Sequence, residues 1–134
     1  MQMRTRTAII AAAVGALSLA TPALALDNPI VADINPVGAG GAHGKATFFQ
    51  IGGNVNVGVI LDSDRSGAQG VDIRKGSCKS YADSPGSPLV AVSGSDQQTK
   101  LSGAKLESLV GSVLLVHKTD SGASPVIGCA EIRA

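Results

Sequence analysis

The 134-residue chain carries 11 Lys and Arg against 10 Asp and Glu, so no charge excess points to a nucleic-acid partner. Phe48, Phe49 and Tyr81 are its aromatic residues, too few for a base-stacking platform. After residue 25 no apolar stretch approaches the roughly 20 residues that cross a bilayer, so no integral span is expected there.

At the amino terminus, Arg4 and Arg6 precede an apolar, uncharged run over residues 7–20, and Ala23-Leu24-Ala25 follows Pro22. A basic start, a short apolar stretch and a small-x-small site are the three parts of a secretory signal peptide. Residues 1–25 are therefore expected to be removed, leaving 26–134 as one exported domain, periplasmic or extracellular. The alternative is a membrane anchor, for which the run falls short of the roughly 20 residues needed. Without Arg4 and Arg6 the chain holds nine basic and ten acidic residues.

The rest reads as short Val/Ile/Leu-rich runs separated by Gly, Ser, Pro, Asn and Asp, the pattern of an all-β sandwich or barrel. Strands are expected at 30–34 and 45–51, parted by the glycine-rich turn 38–41, with a tight turn at 52–54. In 54–61, Val55, Val57, Val59 and Leu61 fall on one face and Asn54, Asn56 and Gly58 on the other, which predicts a strand with one buried side. Ile60 breaks that alternation. Residues 62–67 read as a polar turn, 69–74 as a short strand, 79–88 as a loop, 89–92 as a strand and 94–99 as another turn. Leu106, Leu109 and Val110 share a helical face within 105–110, which Gly111 stops, and this piece is expected to act as a lid on the barrel end. Residues 113–118 form a β-branched apolar run, 120–125 a turn and 126–132 the last strand. The count is seven or eight strands without an internal repeat.

Cys78 and Cys129 are the two cysteines, and export would place them where disulfides persist. A bridge between them would add about 4 kcal/mol in the chain-entropy treatment. The alternatives are two buried thiols, or a metal pair for which no second Cys or His stands at zinc spacing. Among the polar residues, Asp72 and Arg74 share a strand face and read as a solvated face, a small polar binding site or a local ion pair, which when exposed contributes about 0–1 kcal/mol. His117 reads as a strand histidine or a metal ligand. His43, in a glycine-rich setting, reads as a turn residue or a second ligand for copper or zinc beside His117. Asp62-Ser63-Asp64 lacks the glycine and the distal glutamate of a calcium loop and reads as a turn. No Gly-x-Ser-x-Gly or phosphate-binding loop is present.

From Gly44 onward the order of features resembles the Cu/Zn superoxide dismutase family, in particular its short, exported bacterial members. Gly44-Lys45-Ala46-Thr47-Phe48 is similar to the family's Gly-x-Val-x-Phe strand. The segment that reads Pro-Gly-x-His-Gly-Phe-His-Ile-His-Glu in the family, followed shortly by Cys, stands here as Ser66-Gly67-Ala68-Gln69-Gly70-Val71-Asp72-Ile73-Arg74-Lys75-Gly76-Ser77-Cys78. Leu114-Leu115-Val116-His117 is similar to the family's Leu-Val-Val-His strand, and Val126-Ile127-Gly128-Cys129-Ala130-Glu131-Ile132 to its closing strand. The resemblance covers about ninety residues. It implies a Greek-key β-barrel of about eight strands, with Cys78 and Cys129 in the family's disulfide.

The resemblance also implies what is missing. The family's His-x-His copper ligands correspond to Asp72 and Arg74, and the earlier His of the motif to Gln69. A guanidinium keeps its proton and cannot ligate a cation. His117 alone retains a copper-ligand position. The stretch from Cys78 to Leu101 holds no His, so no zinc site is expected, and the family's superoxide-guiding Arg is replaced by Val126. No catalytic residue and no cofactor are expected. The implied role is a dismutase-like domain without dismutase activity, binding an unknown protein or small ligand or serving the envelope structurally. The rival is a divergent dismutase or a copper- or zinc-binding protein.

Overall fold

The computed structural model describes residues 28–83 and 87–134, with the backbone alone at 63–66. The signal-peptide reading of residues 1–25 lies outside these residues, as do Pro85 and Gly86 of the expected loop. Among the described residues, six strands and one helical turn follow in chain order: β1 (Ile30–Pro36), β2 (Gly44–Ile51), β3 (Asn54–Lys75), β4 (Ser87–Ser102), α1 (Leu106–Leu109), β5 (Ser112–His117) and β6 (Val126–Ile132). All their pairings are antiparallel. The expected all-β barrel is what the chain forms, in six strands where seven or eight were expected, because the strands expected at 54–61 and 69–74 are one continuous β3.

The barrel closes through β3. Its first half pairs with β2, from Gly44–Leu61 to Ile51–Asn54, and its second half pairs with β5, from Val71–Val116 to Lys75–Ser112. The circuit is completed by β5 with β6, β6 with β1 and β1 with β2. β4 runs along β3 as a long ribbon, and the chain then crosses through α1 to return on the other side of β3 as β5. That crossing is the Greek-key connection.

The turns expected at 62–67 and 94–99 are instead strand, and this is a correction with a clear cause. Between the pairs Ile60–Asp96 and Arg65–Gly94, β3 advances five residues while β4 advances two, and a further shift follows before Ala68–Ser93. The surplus residues form bulges, which bend a ribbon without ending it. Gly67 (φ 79°) and Gly94 (φ 85°) supply the left-handed backbone at the bend, a conformation costly for other residues. Turn-forming composition here marks a barrel corner, where β3 passes from pairing with β2 to pairing with β5.

The alternation in the first half of β3 holds as read. Val55, Val57, Val59 and Leu61 are buried, and Ile60 points outward. They join Ile30, Ile34, Ala46 and Phe48 in the barrel interior. α1 turns Leu106 and Leu109 into the same core, so the expected lid is also a plug. Gln50, which the sequence does not single out, fixes the crossing. Its Oε1 accepts the Leu106 N–H at 2.8 Å, and its Nε2 donates to Asn54 O and Ala104 O at 3.0 and 3.2 Å.

β5 is buried along its whole length. Leu114 and Val116 face the barrel core, whereas Val113 and Leu115 pack outward with Cys129 beneath Cys78 and Tyr81. A second hydrophobic layer therefore lies outside the barrel wall. Cys78 and Cys129 are joined in a disulfide, with their Cα atoms 5.9 Å apart, so the loop after β3 is bound to β6.

Glu131 reinforces this bond. Its Oε2 accepts the Cys78 N–H at 3.0 Å, and its other oxygen meets the Arg133 guanidinium. The Cys78 amide, followed by Arg133, holds the Glu131 carboxyl below its ordinary value of 4.5. A carboxyl with a lowered folded-state pKa stabilises the fold above its unfolded value and loses that contribution as pH falls through the folded value. Glu131→Gln is therefore expected to be less stable than the parent at neutral pH, with the difference shrinking on acidification below 4.5. Thermal melts of both proteins at neutral and acid pH check this. A gap that stays constant across the range would remove Glu131 from the acid limb.

Candidate functional site

The second half of β3 sends Val71 and Ile73 into the core, so Asp72 and Arg74 emerge on the outer face of the wall. In a plain sheet that face would be solvated, as the sequence reading expects. Here Asp72 is 4% and Arg74 8% exposed, which overturns the solvated face, while the local ion pair between them forms. The cause is coverage: the loop held by the disulfide and the β5–β6 connection both fold over this face. Neither covering is visible in the local pattern of β3.

Under that cover the polar groups form one cluster. Arg74 Nε and Nη2 donate to the two carboxylate oxygens of Asp72 at 3.2 and 3.1 Å, a bidentate pair. Arg74 Nη1 donates to the carbonyl of Asp83 at 3.0 Å, and Nη2 reaches that of Gly122 at 3.5 Å. The guanidinium carbon lies 5.8 Å from the centre of the Tyr81 ring, within cation–π range. One side chain thus ties β3 to both covering segments.

His117 ends β5, one diagonal step from Asp72, which pairs with Leu115. Its Nδ1 lies 2.9 Å from Ser124 O and its Nε2 3.3 Å from Asp72 Oδ2. A carbonyl only accepts, so Nδ1 carries the hydrogen. It is a packed strand histidine: the side chain is buried, Nδ1–H is held by Ser124 O, and Nε2 faces the Asp72 carboxylate.

Gln69 is buried earlier on β3, and its Oε1 has no hydrogen-bond partner among the described residues. Val126 borders the same region, opposite His117 in the β5–β6 ladder. The structure thus gathers Asp72, Arg74 and His117 into contact and sets Val126 opposite His117, while Gln69 makes no contact with them among the described hydrogen bonds. His43 is exposed at the start of β2, where its carbonyl accepts the Asp62 N–H at 2.9 Å. It does not join His117 in any group of three metal-ligating side chains among the described residues.

The donor set does not fit copper. A metal at this place would need the lone pairs of Asp72 and His117 Nε2. Both carboxylate oxygens already face a guanidinium, a permanent cation that would oppose a second positive charge. The chemistry available is that of a buried, hydrogen-bonded ion cluster, which positions loops. Tyr81, Ser124 and the carbonyls of Asp83 and Gly122 were not foreseen as members. As the lone tyrosine, next to a cysteine loop, Tyr81 carried the one signal available. No protein-family model matches the chain, and neither a curated protein nor a solved structure is found to be similar to it.

Proposed function

We propose that this chain is an exported, superoxide dismutase-like barrel that performs no dismutation and works as a binding or structural protein of the cell envelope. The observation that carries the reading is the bidentate Arg74–Asp72 pair at the positions where the resemblance places copper-binding imidazoles. Redox cycling of copper calls for several imidazoles that serve both oxidation states. This chain offers His117, buried with Nδ1–H on Ser124 O and Nε2 against Asp72. The disulfide supports an oxidising compartment, and no helix among the described residues is long and apolar enough to cross a membrane. A preserved scaffold does not by itself carry the activity of its relatives.

The test is reconstitution of the purified, oxidised protein with copper and zinc, followed by metal analysis and a superoxide disproportionation assay. The expected result is no stoichiometric copper and a rate equal to that of buffer with the same treatment. Copper bound one to one, with activity that disappears in His117→Ala, would establish a divergent dismutase instead.

A further inference from the structure

At the end of the barrel where β3 finishes, an open cleft of about 690 Å3 is bordered by both ends of β4 and by α1. Ile73, Leu101 and Leu109 form its apolar wall. Ser112 sits on the same cleft. Leu114 faces the core, so Ser112, two residues earlier on β5, points to that inner side as well. Ser112 is 3% exposed, and its hydroxyl has no hydrogen-bond partner among the described residues. Among those residues Gln69 Oε1 is the one unpaired side-chain atom sealed from solvent, so the Ser112 hydroxyl, equally unpaired, opens on the cleft. Buried polar groups in native chains are almost always paired, and a hydroxyl left open at a cavity wall takes its partner from outside. Lys75 stands directly opposite Ser112 in the β3–β5 ladder, where facing side chains start about 5 Å apart. Its Nζ donates to Ser108 O at 3.0 Å, which holds the ammonium at the rim with two N–H donors left over. Lys75 has no ion pair among the described residues. Lys100 brings a second ammonium, and among the described residues no carboxylate borders the cleft.

We propose that this cleft binds an aliphatic carboxylate, a free fatty acid of medium chain length. One carboxylate oxygen accepts from the Ser112 hydroxyl and the other from the Lys75 ammonium, side chains that the ladder sets face to face. The hydrocarbon chain lies along Ile73, Leu101 and Leu109. An inorganic anion would leave that apolar wall in water. A cation would meet two ammonium groups. An alcohol would answer the hydroxyl and leave the charge unanswered. The ligand gives the binding role proposed above its chemistry, and the inference rests on that reading.

The test is a titration of the disulfide-bonded protein with octanoate, followed by amide NMR. Saturable shifts are expected at Ser112 and Leu109, with millimolar or tighter affinity. 1-Octanol, which keeps the chain and lacks the charge, is expected to bind about 10-fold more weakly, the ratio that one charge-assisted hydrogen bond supplies. Acetate, which keeps the charge and lacks the chain, is expected to bind at least about 100-fold more weakly, because it buries almost no apolar surface. Ser112→Ala is expected to lose about 10-fold for octanoate with Tm nearly unchanged, since the hydroxyl gives up no internal bond. Lys75→Gln, at an exposed position, keeps the test decisive if the first variant misfolds. It should bind octanoate and 1-octanol equally. Octanoate and 1-octanol binding alike to the parent, acetate matching octanoate, or affinities unchanged in both variants would each overturn the proposal. So would the absence of saturable shifts, or shifts confined to Phe49 and Ile60, which would place the acid on the exposed apolar outer wall. If copper reconstitution also yields no activity, that failure falls on the ligand alone. Copper-dependent activity would overturn the non-enzymatic reading whatever the probes do.

Discussion

Replacing Cys78 and Cys129 together by Ala is expected to cost about 4 kcal/mol of stability. The bridge spans 51 residues, and the entropy it removes from the unfolded chain grows with the logarithm of that length. For a domain of this size the loss corresponds to a fall in Tm of roughly 15–30 °C. The consequence should not stop at the unfolded state. The bond holds the loop after β3 over Val113 and Leu115, so the variant also weakens the outer hydrophobic layer. Thermal melts of the oxidised parent, the reduced parent and the double variant make the measurement, and the last two should agree. A shift of under about 5 °C would mean that loop closure contributes little and the barrel holds alone.

Arg74→Met is expected to destabilise the protein by about 3–5 kcal/mol, the usual cost of leaving a buried charge without its partner. Asp72 would keep a buried carboxylate facing His117 and lose both guanidinium hydrogen bonds. The double variant Asp72→Leu with Arg74→Met should be clearly more stable than Arg74→Met alone, because no uncompensated carboxylate remains. Denaturant melts of the two singles and the double give the coupling between the residues directly. Hydrogen exchange adds a local readout: in Arg74→Met the segment around Ala82 and Asp83 should exchange faster, since Nη1 no longer bonds the Asp83 carbonyl. Equal stability of Arg74→Met and the double variant would show that the carboxylate is not buried as described. The cluster would then lose its part in holding the loops.

These two expectations concern the same piece of architecture. The disulfide and the Arg74 cluster both fasten covering segments to the outer wall of the barrel, one covalently and one by charge-assisted hydrogen bonds. Beneath those segments the side chains of Asp72 and Arg74 satisfy one another.

Much of the barrel was legible along the chain because its signals are local. The valines of the first half of β3 alternate with polar residues over one buried face, so period two names both the strand and its core side. The spacing of Leu106 and Leu109 names a helical turn, and Gly111 (φ 88°) ends it as read. The run at 113–116 is apolar on both faces, and β5 is indeed buried on both, although no local pattern says what lies on either side. The bend of β3 and β4 was read as turns because glycine and small polar residues serve tight turns and bulged corners alike. Which of the two forms depends on whether the ladder resumes beyond it, and that is settled by partners far along the chain. The burial of Asp72, Arg74 and His117 is of the same kind. Residue identity explains why a guanidinium cannot hold copper, but its closure on Asp72 under Tyr81 exists because loops from after β3 and after β5 meet over one strand. Periodicity and side-chain chemistry act between near neighbours and survive in a string of letters. Solvent exclusion is a property of assembled surfaces, and it appears when distant segments come together.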